Sequence, residues 1–382
     1  MAEIELFATT VFGLEAVVSR ELKQLGYTRQ SIENGRVTFI ADEAAICRAN
    51  LWLRSAERLQ LKIGEFTARD FGELFDQTRV LPWNEWLTAD AAFPVRGKSV
   101  QSQLHSVPDC QSIVKKAIVE QMRESVNRRW FEETGPACGV EVSLLKDRVT
   151  LALDTSGRGL HKRGYRTLMG PAPLKETLAA GLIQLSFWNA ERPLMDPFCG
   201  TGTIPIEAAM IGRNRAPGMG RSFAAEKWPR LPPALWDDAR KEARDLATGE
   251  LSFPLIGTDR DKAAIGLARQ HAQNAGVAAD VRLEQKDFQD FATGDQYGCI
   301  VVNPPYGERS GDLRDAQNLY REMGSTLRPL ETWSVYILTS CPDLERLYGR
   351  HANRRRKLYN GRIECTYYQF HGLHPPRKQP TG

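Results

Sequence analysis

The sequence predicts an α/β protein whose C-terminal half is built on a parallel sheet, preceded by smaller α+β units. Three observations lead there. From residue 194 onward, strand-like and helix-like runs alternate, the pattern of βαβ units. Ahead of that, short apolar strands mix with amphipathic helices and a polar-tipped hairpin. The chain also has 382 residues, 42% hydrophobic and 26% charged, which is enough for two or three domains with their own cores and too apolar for disorder.

Taken in order, Ile4 to Thr10 forms an apolar strand. Leu14, Val17, Val18, Leu22 and Leu25 then recur at helical spacing, and Gly26 is a natural C-terminal stop. Val37–Ile40 is a second strand and Glu43 to Arg54 a second helix, closing a unit near Phe66. The next unit opens with a strand at Ala92–Val95 and a long helix from Asp109 to Trp130 carrying Ile113, Ala117, Ile118 and Met122. It ends in a hairpin, Val140–Leu144 and Val149–Asp154, turning on Lys146-Asp147. A boundary is expected near residue 165. Five strands follow: Leu194–Phe198, Leu255–Asp259, Val281–Leu283, Ile300–Val302 and Val335–Leu338. Helices from Thr203 to Ile211 and from Asp261 to Ala275 lie between them, and Glu364–Phe370 fits a final hairpin strand. The Pro/Arg-rich stretch Asn214–Pro233 reads as a surface excursion. The expected domain limits are therefore 1–66, 67–165 and 166–382.

Composition narrows the function. Seven cysteines (47, 110, 138, 199, 299, 341 and 365) are scattered with no Cys-x-x-Cys pair, which argues for a reducing compartment and against disulfides or a zinc site. No run reaches the ~18 apolar residues that cross a bilayer, and Met1–Glu5 lacks the features of a secretory signal. A cytoplasmic protein is expected, with no membrane and no obligate protein partner. A net charge of +4 says little, but its distribution says more. Arg346, Arg350, Arg354, Arg355, Arg356 and Lys357 fall within twelve residues that hold no acid, and Lys115, Lys116, Arg123, Arg128 and Arg129 share a helix. Both clusters suit RNA phosphates, with Lys115, Lys116, Arg354, Arg355 and Arg356 as the candidate contacts.

Asp196-Pro-Phe-Cys-Gly-Thr-Gly-Thr203 leaves one strand and enters a helix. Gly200 and Gly202 let backbone N–H groups approach a ligand, and the following helix favours negative charge at its start. Such loops serve dinucleotide, flavin and S-adenosylmethionine binders alike. Pro205 occupies the place of the third dinucleotide-fingerprint glycine, which favours a ligand without a pyrophosphate. Asp259 ends the next strand, where a carboxylate can accept from both hydroxyls of a ribose. Asp287 follows the third, placed to accept from an adenine amine, with Phe288 against the purine face, and Phe198 of the glycine loop is a further candidate cofactor contact.

Asn303-Pro-Pro-Tyr-Gly307 lies at the end of the fourth strand. An exocyclic purine amine is a weak nucleophile, because its lone pair is delocalised into the ring. The Asn303 side-chain oxygen and the Pro304 carbonyl can each accept one of its N–H groups, aligning the nitrogen and favouring a pyramidal geometry. Proline keeps the loop stiff, and Tyr306 offers a ring for stacking. Direct transfer from a sulfonium needs no covalent intermediate, so Cys199 is expected to be packing. Asn303, Pro304 and Tyr306 are the candidate catalytic residues, and no metal is called for.

Asp196–Thr203 together with Asn303–Gly307 resembles the class I, S-adenosylmethionine-dependent amino-methyltransferases of nucleobases. Phe93–Ser102, Gln111–Ile118 and Asp154–Arg166 resemble a THUMP RNA-binding domain, and Ala172–Ala180 and Lys357–Cys365 extend the likeness. The whole is similar to the bacterial 23S rRNA guanine-N2 methyltransferases. That resemblance implies a ferredoxin-like start, a THUMP domain and a seven-stranded Rossmann-like catalytic domain. It implies cofactor contacts at Asp196, Gly200, Gly202, Asp259 and Asp287, target-base contacts at Asn303, Pro304 and Tyr306, and a helix at Ala172–Ala180 closing over the methionine end. The implied partner is 23S rRNA or a large-subunit precursor. A tRNA guanine-N2 enzyme, an adenine-N6 DNA enzyme and a catalytically silent RNA-binding assembly factor are the competing readings.

Overall fold

The computed structural model describes residues 3–126, 131–166, 174–306 and 312–376. The chain forms two compact units, one from residues 1–10, 18–160 and 221–243, the other from 11–17, 161–220 and 244–382.

The first unit carries a seven-stranded sheet in the order β2-β3-β1-β4-β7-β6-β5. Its strands are β1 (Ile4–Thr10), β2 (Gln30–Glu33), β3 (Arg36–Ala41), β4 (Ala56–Thr67), β5 (Val95–Val100), β6 (Val140–Leu145) and β7 (Arg148–Asp154). The helices of this stretch of chain are α1 (Glu15–Gln24), α2 (Ala44–Trp52), α3 (Phe71–Arg79) and α4 (Val107–Val126). The β6–β7 turn has both Lys146 and Asp147 at positive φ, 51° and 65°, the geometry that a two-residue hairpin requires. Sequence periodicity misses β4, yet its twelve residues pair with β1 on one side and β7 on the other. Phe66, the expected end of the first unit, sits inside β4 opposite Val149, so the sheet continues through that point. The strand expected at Ala92–Val95 begins instead at Val95, and Ala92 makes only a single bridge to Ala137. As an edge strand, β5 alternates exposed and half-buried residues, and its polar sequence hides it.

The second unit holds β8 (Leu194–Asp196), β9 (Leu255–Asp259), β10 (Val281–Gln285), β11 (Cys299–Val302), β12 (Ser334–Thr339), β13 (Arg354–Asn360) and β14 (Ile363–Phe370). They order as β10-β9-β8-β11-β12-β14-β13, the first five parallel and the last two antiparallel. The remaining helices are α5 (Glu176–Leu185), α6 (Thr203–Gly212), α7 (Pro233–Asp245), α8 (Lys262–Asn274), α9 (Asp312–Leu327) and α10 (Leu344–Tyr348). Successive β11 residues face opposite ways. Val301 joins a core with Leu178, Ile206 and Ala268, whereas Ile300 and Val302 join Ala316, Tyr320 and Met323. The strand order reverses between β8 and β11, the place where open α/β sheets form a ligand crevice.

The Asn214–Pro233 stretch is not a surface excursion. Ala216, Phe223, Ala225, Trp228 and Leu231 are all buried, Trp228 packs edge-on to Trp86, and its Nε1 donates to the Ala137 carbonyl at 3.2 Å. Isolated aromatic anchors without a period leave no trace that pattern reading can use. Arg128, Arg129 and the end of the helix expected at Asp109–Trp130 lie outside the described residues, as do residues 172 and 173 of the segment expected to close over the cofactor.

Candidate active site

The glycine loop is held by hydrogen bonds to the ends of two strands, β8 and β9, and to helix α8. Asp196 is buried at the end of β8 and accepts from the Phe198 N–H at 3.1 Å. Cys199 N–H donates to the Thr258 carbonyl at 3.0 Å, and Gly200 N–H donates to Asp259 Oδ2 at 2.9 Å. Asp259 also accepts from the Asp261 N–H, so its carboxylate braces the loop while keeping lone pairs for a ribose. His271 on α8 bonds the Thr201 carbonyl at 3.1 Å. Gly202 has φ +82°, and a Cβ there would stand 3.0 Å from that of Ala268, so only glycine fits. Its helix, α6, starts without a side-chain cap and without an acid in its first turn, leaving amide donors for a ligand.

Burial shapes the titrating groups. It drives the Asp196 carboxyl well above the usual carboxylate range, and the nearby Asp259 charge adds to that. It likewise raises the Cys199 thiol, keeping it protonated and unreactive, consistent with its place in the apolar core.

A cavity of about 700 Å³ opens beside this loop. Phe198, Asp259, Asp287 and Phe288 line it, with Pro305 and Tyr306 across from them. That volume suits a drug-sized ligand such as an adenosyl group. Asp287 is exposed, with one oxygen engaged by the Gln289 N–H at 3.1 Å. Phe288 stacks on Phe198 with centroids 5.0 Å apart, a contact that the sequence does not announce. Asp196, Gly200, Gly202, Asn303 and Pro304 are not among its lining residues. The opposite wall was not anticipated: Asp315, Asn318, Leu319 and Glu322 come from one face of α9. Their three- and four-residue spacing is the only sequence signal for them.

The Asn303–Tyr306 loop leaves β11 directly beside β8. The Tyr306 hydroxyl donates to Asn303 Oδ1, and Asn360 Nδ2 donates to the Tyr306 oxygen at 3.4 Å. The acceptor expected to meet a base amine is therefore met here by the loop's own phenol. Burial raises the Tyr306 phenol far above its ordinary value, so it is a donor at neutral pH. Tyr320 donates to the Pro305 carbonyl at 3.1 Å, fixing the loop from α9. The Pro304 carbonyl has no hydrogen-bond partner among the described residues.

The basic candidates are not equivalent. In the first unit, the Lys115 ammonium sits 3.6 Å from the Phe93 ring centroid and pairs with Glu133 at 2.6 Å, so it is already engaged. Lys116 is exposed. In the second unit, Arg354–Arg356 lie on β13, whose pleat sends Arg355 to the face opposite its neighbours. Arg355 grips both oxygens of Glu345, and Arg356 donates to the Gly13 carbonyl at 3.0 Å. Arg354 is exposed, with no ion pair among the described residues. A cluster that looks continuous along the chain is split by strand geometry and by Glu345.

The chain matches three families: the RlmL ferredoxin-like domain over residues 5–60, the THUMP domain over 68–154, and the RMKL-like methyltransferase domain over 163–369. It is 47% identical to a "Putative RNA methyltransferase YpsC" of Bacillus subtilis, covering 100% of this chain and 99% of that protein. It is 35% identical to "Ribosomal RNA large subunit methyltransferase K/L" of Syntrophotalea carbinolica over 97% of this chain, spanning 54% of that longer protein. Among solved structures, SMU.472, "a putative methyltransferase complexed with SAH", superposes with a TM-score of 0.93 at 44% identity, covering 98% of this chain and 100% of that one. A Listeria monocytogenes protein described as "a predicted N6-adenine-specific DNA methylase" superposes equally well, at 50% identity over 98% and 97% of the two chains. With the glycine loop, the Asn-Pro-Pro-Tyr loop and the reversal of strand order all in place, the chain belongs to the RMKL-like methyltransferase family.

Proposed function

We propose that this S-adenosylmethionine-dependent methyltransferase modifies the exocyclic N2 amine of a guanine in 23S rRNA or a large-subunit precursor, in the cytoplasm. One observation carries the reading. The Asn303–Tyr306 loop and the glycine loop leave the two strands that flank the reversal of strand order, which supports an amine acceptor site next to a cofactor crevice. The RNA class is supported by the THUMP match and by the rRNA activity in the name of the Syntrophotalea relative. In this reading residues 1–66, 67–165 and 166–382 are the ferredoxin-like, THUMP and catalytic modules.

The cofactor supplies an electrophilic methyl group on a sulfonium. The protein's own work is binding, orientation and charge complementarity. Asp259 accepts the ribose hydroxyls, Asp287 accepts the adenine amine, and Phe288 packs on the purine. Asp196 places a buried carboxyl toward the cationic end, and a cation there would offset the burial that favours its neutral form. A guanine flipped from its stack, at a cost of a few kcal/mol, brings its N2 amine to Asn303 Oδ1 and the Pro304 carbonyl. It displaces the Tyr306 hydroxyl, which frees that ring to stack. Outside the site, exposed cations such as Lys116 and Arg354 hold RNA phosphates.

Mass spectrometry of nucleosides from rRNA, tRNA and DNA, with and without the gene, tests this. Loss of N2-methylguanosine from 23S rRNA is the expected result. Loss from tRNA alone, or loss of N6-methyladenine from DNA, would replace it with one of the competing readings. The adenine alternative uses the same loop and is the activity named for the Listeria structure.

A further inference from the structure

Arg166 is a largely buried cation to which the sequence reading gives no task. Arg166 lies between the first residues of two helices, Glu176 of α5 and Thr203 of α6. Its side chain is only 9% exposed. One terminal nitrogen faces Glu176 Oε1 at 3.3 Å, and the other donates to Thr203 Oγ1 at 2.5 Å and to the Leu174 carbonyl at 3.5 Å. The third donor, Nε, is buried and has no partner among the described residues. An unmet guanidinium N–H away from water is costly, and an acceptor supplied by a ligand would complete it.

The surroundings define that ligand's chemistry. Thr203 follows Gly202 and begins the helix that lacks a side-chain cap and a first-turn acid. Its Oγ accepts from Arg166, which leaves its own O–H free to donate. Arg166 Nε, the Thr203 hydroxyl and the uncapped amides of α6 thus form a donor set with no acceptor of their own, at the positive end of a helix dipole. Such a set takes a carboxylate. Glu176 keeps Arg166 electrically balanced before the ligand arrives and is a counter-charge for an ammonium beside that carboxylate.

We propose that Arg166 recognises the α-carboxylate of the cofactor's methionine end and, through Thr203 and Glu176, sets the starts of α6 and α5 around it. This rests on the reading that the glycine loop binds S-adenosylmethionine. Arg166 is thereby a binding and positioning residue that takes no part in methyl transfer itself.

Two ligands isolate the contact. S-adenosylhomocysteine carries the amino-carboxylate, whereas 5′-methylthioadenosine has the same adenosyl group and lacks it. Titration calorimetry of the full chain with each, for wild type, Arg166→Gln and Arg166→Lys, needs neither RNA nor turnover. Arg166→Gln should weaken S-adenosylhomocysteine by roughly ten- to a hundredfold, the range for a charge-assisted hydrogen bond. Methylthioadenosine should change by less than threefold, and lysine should recover part of the loss. Equal weakening of both ligands would make Arg166 a helix-to-helix strut and overturn the proposal, as would no change in either. If the wild type bound neither ligand, the cofactor reading itself would fall. Should Arg166→Gln lose its cooperative thermal transition, Thr203→Val carries the same comparison with both charges kept, and a selective loss of several-fold is expected.

Discussion

Replacing Tyr306 by phenylalanine separates two roles that the loop combines. In the structure the phenol donates to Asn303 Oδ1, the atom assigned to the incoming amine, and it accepts a long bond from Asn360 at 3.4 Å. A target base must therefore compete with an internal donor. A neutral hydrogen bond is worth about 0.5–1.5 kcal/mol net. Removing it before the base arrives returns roughly that amount, a two- to twelvefold gain at about 1.4 kcal/mol per factor of ten. The ring survives the substitution, so stacking is kept. Tyr306→Ala removes the ring as well and should forfeit about 1–3 kcal/mol of base stacking, a loss of roughly five- to 150-fold. Single-turnover transfer of a radiolabelled methyl group to rRNA at subsaturating RNA reads both. The expected order is Tyr306→Phe at or above wild type and Tyr306→Ala far below. If phenylalanine is as damaging as alanine, the hydroxyl acts on the base or in the chemistry, and the displacement scheme is wrong.

Asn303→Ala should abolish transfer while S-adenosylhomocysteine affinity by calorimetry stays near wild type; joint loss would indicate a collapsed site. Arg354→Ala should lower the slope of log affinity for RNA against log salt by about one, whereas Arg355→Ala, whose guanidinium is held by Glu345, should leave it unchanged. Equal slopes for the two would refute the splitting of the cluster by β13. Asp196 supplies a pH test. Its carboxyl is raised in the folded state, so above the ordinary carboxylate pKa the native chain binds more protons than the unfolded one. Stability of the free protein then falls as pH rises from that value toward the raised one. Asp196→Asn removes this loss. Its melting temperature should exceed wild type by a margin that grows as pH rises above the ordinary carboxylate range, while cofactor affinity drops, and parallel melting curves would refute the assignment.

What was legible in the sequence follows from where the constraint lies. Gly200 and Gly202 are fixed by positive φ, Pro304 and Pro305 by loop stiffness, and Asp259 by its place at the end of β9, so each leaves a mark within a few residues. The parallel strands of the second unit are buried on both faces and read as apolar runs. The α9 wall is different. Asp315, Asn318 and Glu322 matter only because α9 packs against β11 and β12, and no local pattern says which polar face of a helix meets a cavity. The same holds for Arg355, whose neutralising partner Glu345 lies outside the basic run that drew attention to it. Strand β4 alternates imperfectly, with Lys62 and Gly64 spanning a register shift, and so escaped a period-two search. Phe223 and Trp228 are spaced for neither helix nor strand.

The twelve residues of β4 also bear on how this architecture can be taken apart. Anyone wishing to graft the THUMP portion onto another enzyme by starting at residue 67 would delete β4, one of the two partners of β7, except for its last residue, Thr67 opposite Arg148. The severed piece would carry a row of bare amides and carbonyls along β7, an invitation to self-association. A portable fragment has to include β1 through β4 as well as β5 to β7, so this seven-stranded sheet travels as a single cassette.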